Sequence, residues 1–293
     1  MKAGALAPRR PRDPYLLLAP TVLLLAVFFF YPLLSAAYWS LHEWDLLTAP
    51  RYVGLDNYRA ILDSGLVGQA LLSTTVFSVV VVLGSMSLGL ALALALNRDG
   101  VFAAFVRGAV FSAYVISWVS VALLWLWVLD ADAGAFTALL RALGLPTKNW
   151  LGDPSVALYT LAGVTIWKIA GYSMVLFLAG LQDIPRSLYE AAALDGAGPL
   201  SRFWRITWPL LRPTTAFVGT TSLIVSFQVF DVVRVMTQGG PVRSTTVFVY
   251  AIYEQVFLNL RVGRASALVV IFFVLLLALT ALQLWAWRQK GAT

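Results

Sequence analysis

The chain has no cysteine and a single histidine, His42, among 293 residues. Disulfides, thiolate metal sites and cysteine nucleophiles are thereby excluded, and no histidine cluster remains to hold zinc. His42 itself reads as an interfacial loop residue. Charge is equally scarce: 12% of residues are charged and 60% hydrophobic, against roughly 25% charged in an average soluble domain. No G-x-x-x-x-G-K-[ST] occurs, so the chain does not bind ATP through a P-loop. Gly196, Gly198 and Ser201 only approach G-x-G-x-x-G, and no strand precedes them. A membrane-embedded enzyme is disfavoured because no His, Cys or paired intramembrane carboxylates are available for its chemistry. An ion channel would show a filter or charged ring repeated by symmetry, and no such repeat is visible.

What the sequence does have is apolar length. Six runs stand out, at about 15–38, 70–96, 104–129, 156–181, 213–235 and 265–287. A spanning helix needs ~20 mostly apolar residues, whereas membrane strands would show ten-residue alternation, which is absent. The sequence therefore predicts an all-α membrane protein, a six-helix transmembrane bundle forming a single domain over 1–293. The third and fifth runs are the least regular, with Arg107 crowding one and Asp231 and Arg234 the other. The first run follows Arg9, Arg10 and Arg12 as a signal peptide would. Its apolar stretch is longer than a signal sequence needs, however, and Phe28, Phe29, Phe30 and Tyr31 replace a small-residue cleavage site. We read it as a retained helix.

Basic residues near short loops stay on the cytoplasmic side. With both termini inside, that side holds Lys2, Arg9, Arg10, Arg12, Arg98, Arg107, Arg186, Arg202, Arg205, Arg212, Arg288 and Lys290. The outer side holds Arg51, Arg59, Arg141, Lys148, Arg234, Arg243, Arg261 and Arg264. The net charge of +7 then concentrates on the cytoplasmic face, where attraction to anionic membrane lipid explains it without nucleic acid.

On this topology the longest cytoplasmic loop is 182–212, and it contains YEAAALDGAGPLSRFWRITWPLLRP, residues 189–213. Pro185 suits a first helical turn with Asp183 beside its positive end, and Ala191 to Ala193 are strong helix formers. Gly196 and Gly198 break the run and Pro199 restarts it. Leu200, Phe203, Trp204 and Thr207 then recur at spacings of three and four, opposite Ser201, Arg202 and Arg205. Periodicity alone leaves two readings, a helix-turn-helix knob in water or an interfacial helix lying on lipid.

Glu190, Ala191, Ala192, Gly196, Ile206 and Pro209 resemble the EAA motif of permease subunits of binding-protein-dependent ABC importers, with Trp208 where Leu is usual. Residues 181–197 as LxxIPxxLYEAAxxDGA, Phe230 with Asp231, Thr237 with Gly239, Gly240 and Pro241, and VGLDNY at 53–58 are similar to the carbohydrate and glycerol-phosphate branch of that family. The resemblance covers essentially the whole chain. It implies that this subunit, in a bacterial cytoplasmic (inner) membrane, pairs with a second homologous permease. Two ABC ATPase subunits would bind ATP and Mg, leaving this chain without a cofactor, and an extracytoplasmic solute-binding protein would deliver the substrate. A carbohydrate is the expected cargo, with sn-glycerol 3-phosphate or a glycerophosphodiester as the alternative.

The same resemblance implies that Glu190, Ala191, Ala192, Asp195 and Gly196 belong to a coupling loop that docks on the ATPase. Glu190 would make the polar contact, the alanines would permit close approach and Gly196 would supply the turn. In the family the helices flanking this loop line the substrate route, which makes Thr165, Lys168, Tyr172, Ser222, Ser226 and Gln228 candidate pathway residues. Each hydroxyl has an alternative reading as a link between helices. Lys168, midway along its run, needs compensation from a carboxylate or helix carbonyls, from cavity water, or from the substrate; we expect it to face the cavity.

Overall fold

The computed structural model describes the backbone of residues 13–290 and the side chains of residues 17–281. Lys2, Arg9, Arg10, Arg12, Arg288 and Lys290, which enter the orientation argument, lie outside the described side chains. The chain divides into two compact units, one of residues up to Gly65 together with Ile252 onward, the other Leu66–Ala251.

In the first unit the first run forms Asp13–Leu25, a π-helical turn Ala26–Phe30, and Tyr31–Trp39 without interruption. The Tyr31 N–H reaches back to Ala26 O, and Pro32, the next residue, has no N–H to restore the α register. A short antiparallel pair follows, His42–Glu43 with Arg51–Tyr52, closed by an exposed Arg51–Glu43 ion pair. Within its turn Asp45 accepts from the Thr48 N–H and hydroxyl and from the Leu47 N–H, which holds its carboxyl below the usual carboxylate range.

The VGLDNY segment explains itself here. The buried Asn57 amide donates to Ser40 O and His42 O, both at 2.9 Å, and Tyr58 donates to the Ser40 hydroxyl. The unit is completed by the Val262–Lys290 helix, where a Cβ on Gly263 would stand 2.0 Å from His42 O. His42 itself is a loop residue whose Nδ1 lies 2.9 Å from Tyr38 O.

The second unit is organised around Ala157–Gln182. This helix approaches its neighbours closely enough that small residues are required. A Cβ on Gly171 would lie 2.5 Å from Val110 O, and one on Gly89 would lie 2.5 Å from Ser173 Cβ. Below these contacts Met174, Phe177, Leu178, Leu181 and Ile184 pack with Ala93, Leu211 and Val218 into an apolar core. At the other end Thr237, Gly239 and Gly240 form a compact loop, with Thr245 donating to Gly240 O and Thr246 to Gly239 O.

Among the described residues four helices are long and apolar enough to cross a membrane: Leu17–Trp39, Leu66–Leu96, Ala157–Gln182 and Val262–Ala281. The other two runs depart from expectation. The third is a broken pair, Val101–Val115 and Trp118–Val128, bent by 102°, because Ile116 and Ser117 are extended at ψ 143° and 141°. The fifth stops as Arg212–Phe227, 16 residues long, and resumes as Asp231–Met236 after Gln228–Phe230. Sixteen residues rise only ~24 Å, short of the ~30 Å hydrocarbon core.

Candidate functional site

The charged segment between the fourth and fifth runs is a helical hairpin. Arg186–Leu194 forms its first arm. Pro185 sits one residue earlier than expected, as the cap, and frees its carbonyl for the Leu188 N–H. Asp195 is the C-cap, and Gly196 follows at φ +77°. The Gly196 N–H then bonds Ala193 O and the Ala197 N–H bonds Ala192 O, at 3.1 and 2.9 Å. This pair of bonds is a Schellman ending, and it needs a left-handed residue where glycine stands. Gly198 caps the second arm, whose first helical residue is Pro199. Arg202 Nε ties the turn by donating to Ala197 O at 2.7 Å.

The hairpin is fastened to the helices by one of its faces. Tyr189 and Ile206 pack on the apolar core, and the Tyr189 and Thr207 hydroxyls meet at 2.8 Å. Glu190, Ala191, Asp195 and Gly196 are exposed and Ala192 is half-buried. Of the apolar positions of the second arm, Thr207 is buried and Phe203 half-buried, while Leu200 and Trp204 are 72% and 57% exposed. With Leu194, 90% exposed, they make the free side of the hairpin apolar around its charges.

A second feature lies where the two interrupted runs meet. A cavity of about 260 Å³ is lined by Trp118, Thr165, Gln228 and Asp231 together with Val225, Val229, Phe230 and Val232. Broken helices at membrane depth leave backbone groups that must be satisfied by protein or face a cavity. Thr165 is fully buried and returns its hydroxyl to Leu161 O at 3.0 Å, while Gln228 is exposed.

Lys168 does not line this cavity. It is 1% exposed, and its Nζ donates to Ala113 O and Tyr114 O at 3.1 Å each and to Ile116 O. These are carbonyls orphaned by the break after Val115, at the negative end of that half-helix. The ammonium also lies 4.7 Å from the Trp118 ring centroid, a cation–π contact. Of the conceivable compensations the structure thus shows helix carbonyls, and the expected cavity-facing lysine is corrected.

The remaining candidates are distributed elsewhere. Tyr172 stacks on Tyr114 at 4.7 Å, Ser222 meets Ser85 at 3.2 Å in the buried interior, and the buried Ser226 returns its hydroxyl to Leu223 O. The first two link helices, and Ser226 bonds within its own. Sequence reasoning missed Trp118 as a wall of the cavity and passed over Asp231 as a helix-end charge. Among the described residues no group of three or more His, Cys, Asp or Glu could hold a metal.

Comparison with known proteins gives a consistent result. The family model for the binding-protein-dependent transport system inner membrane component matches residues 85–288. The sn-glycerol-3-phosphate transport system permease protein UgpA of Agrobacterium fabrum is 37% identical over 272 residues, 92% of each chain. The sulfoquinovosyl glycerol transport system permease protein SmoG of the same organism is 33% identical over 277 residues, 94% of this chain and 90% of its own. Among solved structures, a bacterial alginate ABC transporter in complex with alginate pentasaccharide-bound periplasmic protein superimposes with a TM-score of 0.78 at 25% identity, covering 90% of both chains. The chain therefore belongs to the family of inner membrane components of binding-protein-dependent transport systems, and is an ABC transporter permease, not an enzyme.

Proposed function

We propose that this subunit forms one half of the membrane pathway of an ATP-driven importer for a carbohydrate delivered by an extracytoplasmic binding protein. A second homologous permease supplies the other half, and two ATPase subunits bind ATP and Mg beneath them. All six runs cross the membrane, the broken third and fifth included, with both termini in the cytoplasm. The hairpin is the coupling element. Its Schellman turn makes a stiff tip, and Glu190, Ala191, Ala192, Asp195 and Gly196 present themselves to the ATPase. That exposed, capped hairpin within a family-wide match is the observation that carries the reading.

The cavity between the two helix breaks is one wall of the substrate route. Its volume falls just below the ~300–1,000 Å³ usual for a small-molecule site, as expected when a partner closes it. Trp118 offers a stacking face, and Thr165, Gln228 and Asp231 offer groups for hydroxyls; Lys168 supports this wall through Trp118, while Tyr172, Ser222 and Ser226 pack the helices that carry it. The names of the relatives favour a second reading, import of sn-glycerol 3-phosphate by the same machinery. Uptake of labelled sugars and of sn-glycerol 3-phosphate, measured in cells with and without the gene, tests both. Loss of sugar uptake supports the first reading, and loss of glycerol phosphate uptake alone replaces it with the second.

A further inference from the structure

At the base of the hairpin lies a cavity that the transport route does not use. It measures about 540 Å³ and is bounded by the turn Asn97–Asp99, by Arg107, by the end of the Ala157–Gln182 helix and by Arg186 and Tyr189 of the hairpin's first arm. Three arginines, Arg98, Arg107 and Arg186, line it together with one acidic residue, Asp99. Among the described residues none of the three arginines has an ion-pair partner. Arg107 is fixed in place because its Nη1 donates to Leu96 O and Arg98 O at 2.9 and 3.1 Å, which leaves its Nε and Nη2 donors unspent.

Arginine forks match the oxygens of a phosphate group bidentately, and three arginines against one aspartate around one small space leave an excess positive potential that attracts an outside anion. The surroundings point the same way. Val101, Phe102 and Phe105, a few residues along from Asp99, are 89%, 80% and 71% exposed, an apolar strip beside a basic pocket, as a lipid with a charged headgroup would require.

We propose that this cavity is a phosphate-binding site, filled by the headgroup of an anionic phospholipid or by free phosphate, and that its occupancy clamps the hairpin to the helix bundle. A phosphate there bridges the end of one membrane helix, the start of the next and the first turn of the Arg186–Leu194 arm. Tyr189, on the same wall, passes the restraint to the second arm through Thr207. The effect on coupling rests on the proposed role of the hairpin; the binding does not.

The test uses the assembled transporter, resting and without ATP, in discs of phosphatidylcholine with or without phosphatidylglycerol. Bound lipid is counted by native mass spectrometry and stability is read by thermal unfolding. Removing two guanidinium groups, Arg98→Gln with Arg186→Gln, should weaken phosphatidylglycerol retention roughly 25-fold, about five-fold for each basic residue near a lipid surface. In phosphatidylcholine discs, inorganic phosphate that raises the unfolding temperature of the wild type and not of the variant identifies the free anion as the source. Arg98→Lys with Arg186→Lys, which keeps the charge, retains most of the binding, and if the double Gln variant fails to assemble, Arg186→Gln alone carries the comparison. Equal lipid retention and equal phosphate response in wild type and Gln variant overturn the proposal, whether or not the transporter couples ATP to uptake.

Discussion

Replacing Lys168 by methionine keeps the length of the side chain and removes its three donors. The carbonyls of Ala113, Tyr114 and Ile116 then lose the only side-chain donor that reaches them among the described residues, and the Trp118 ring loses its cation. Hydrogen bonds to a charged group are worth about 1.5–3 kcal/mol each, whereas a lysine at bilayer depth costs about 2.5–3.5 kcal/mol. Over three such bonds the balance is a net loss of roughly 1–6.5 kcal/mol. Lys168→Gln, with two donors and no charge, should fall between wild type and Met. Thermal unfolding of the purified subunit in detergent reads the order, and uptake kinetics should show weakened apparent substrate affinity because Trp118 forms a wall of the cavity. A Met variant that unfolds with wild-type stability would refute the assignment of Lys168 as the clasp of the broken helix.

Other substitutions test other parts of the fold. Gly196→Val places a β-branched residue at φ +77°, a strain of about 1–2 kcal/mol; the space around it is open, so the subunit should insert normally and transport should fall. Failure of Gly196→Val to accumulate in the membrane would count against a coupling role. Gly171→Leu drives a side chain into the Val110 carbonyl and should prevent assembly of the second unit, seen as loss of folded protein on size-exclusion chromatography. Because the chain has no cysteine, single Cys residues at Asp132 and Gly198, both exposed, report topology cleanly: an impermeant thiol reagent should label them from opposite sides. The turn at Asp45 gains stability from a carboxyl held below its ordinary value, so that contribution is complete at neutral pH and is lost only as the pH falls below 3.8, measurable as exchange of the Thr48 amide.

The sequence made the hairpin legible because its signals are local. Two glycines, two prolines and four alanines fall within fifteen residues of one another, and each has one dominant backbone preference. The long spans were legible for the same reason, since length and apolar content decide them. The break in the third run was not. The residues at it, Val115, Ile116, Ser117 and Trp118, include neither glycine nor proline, and the group that stabilises the bend comes from Lys168, 52 residues beyond Ile116. A charge in mid-helix announced that something unusual was present without saying where its partners were. Periodicity marks Leu200 and Trp204 as part of an apolar stripe but not what covers it; both are exposed, where the proposed ATPase would cover them.

The proposed coupling role is tested most directly by capturing the tagged chain together with its co-expressed partner permease and ATPase. The wild type should bring both. Glu190→Arg, at an exposed position on the free side of the hairpin, should keep the permease partner and lose the ATPase. Retention of the ATPase at wild-type levels by Glu190→Arg, or its absence from the wild-type complex, would contradict the account.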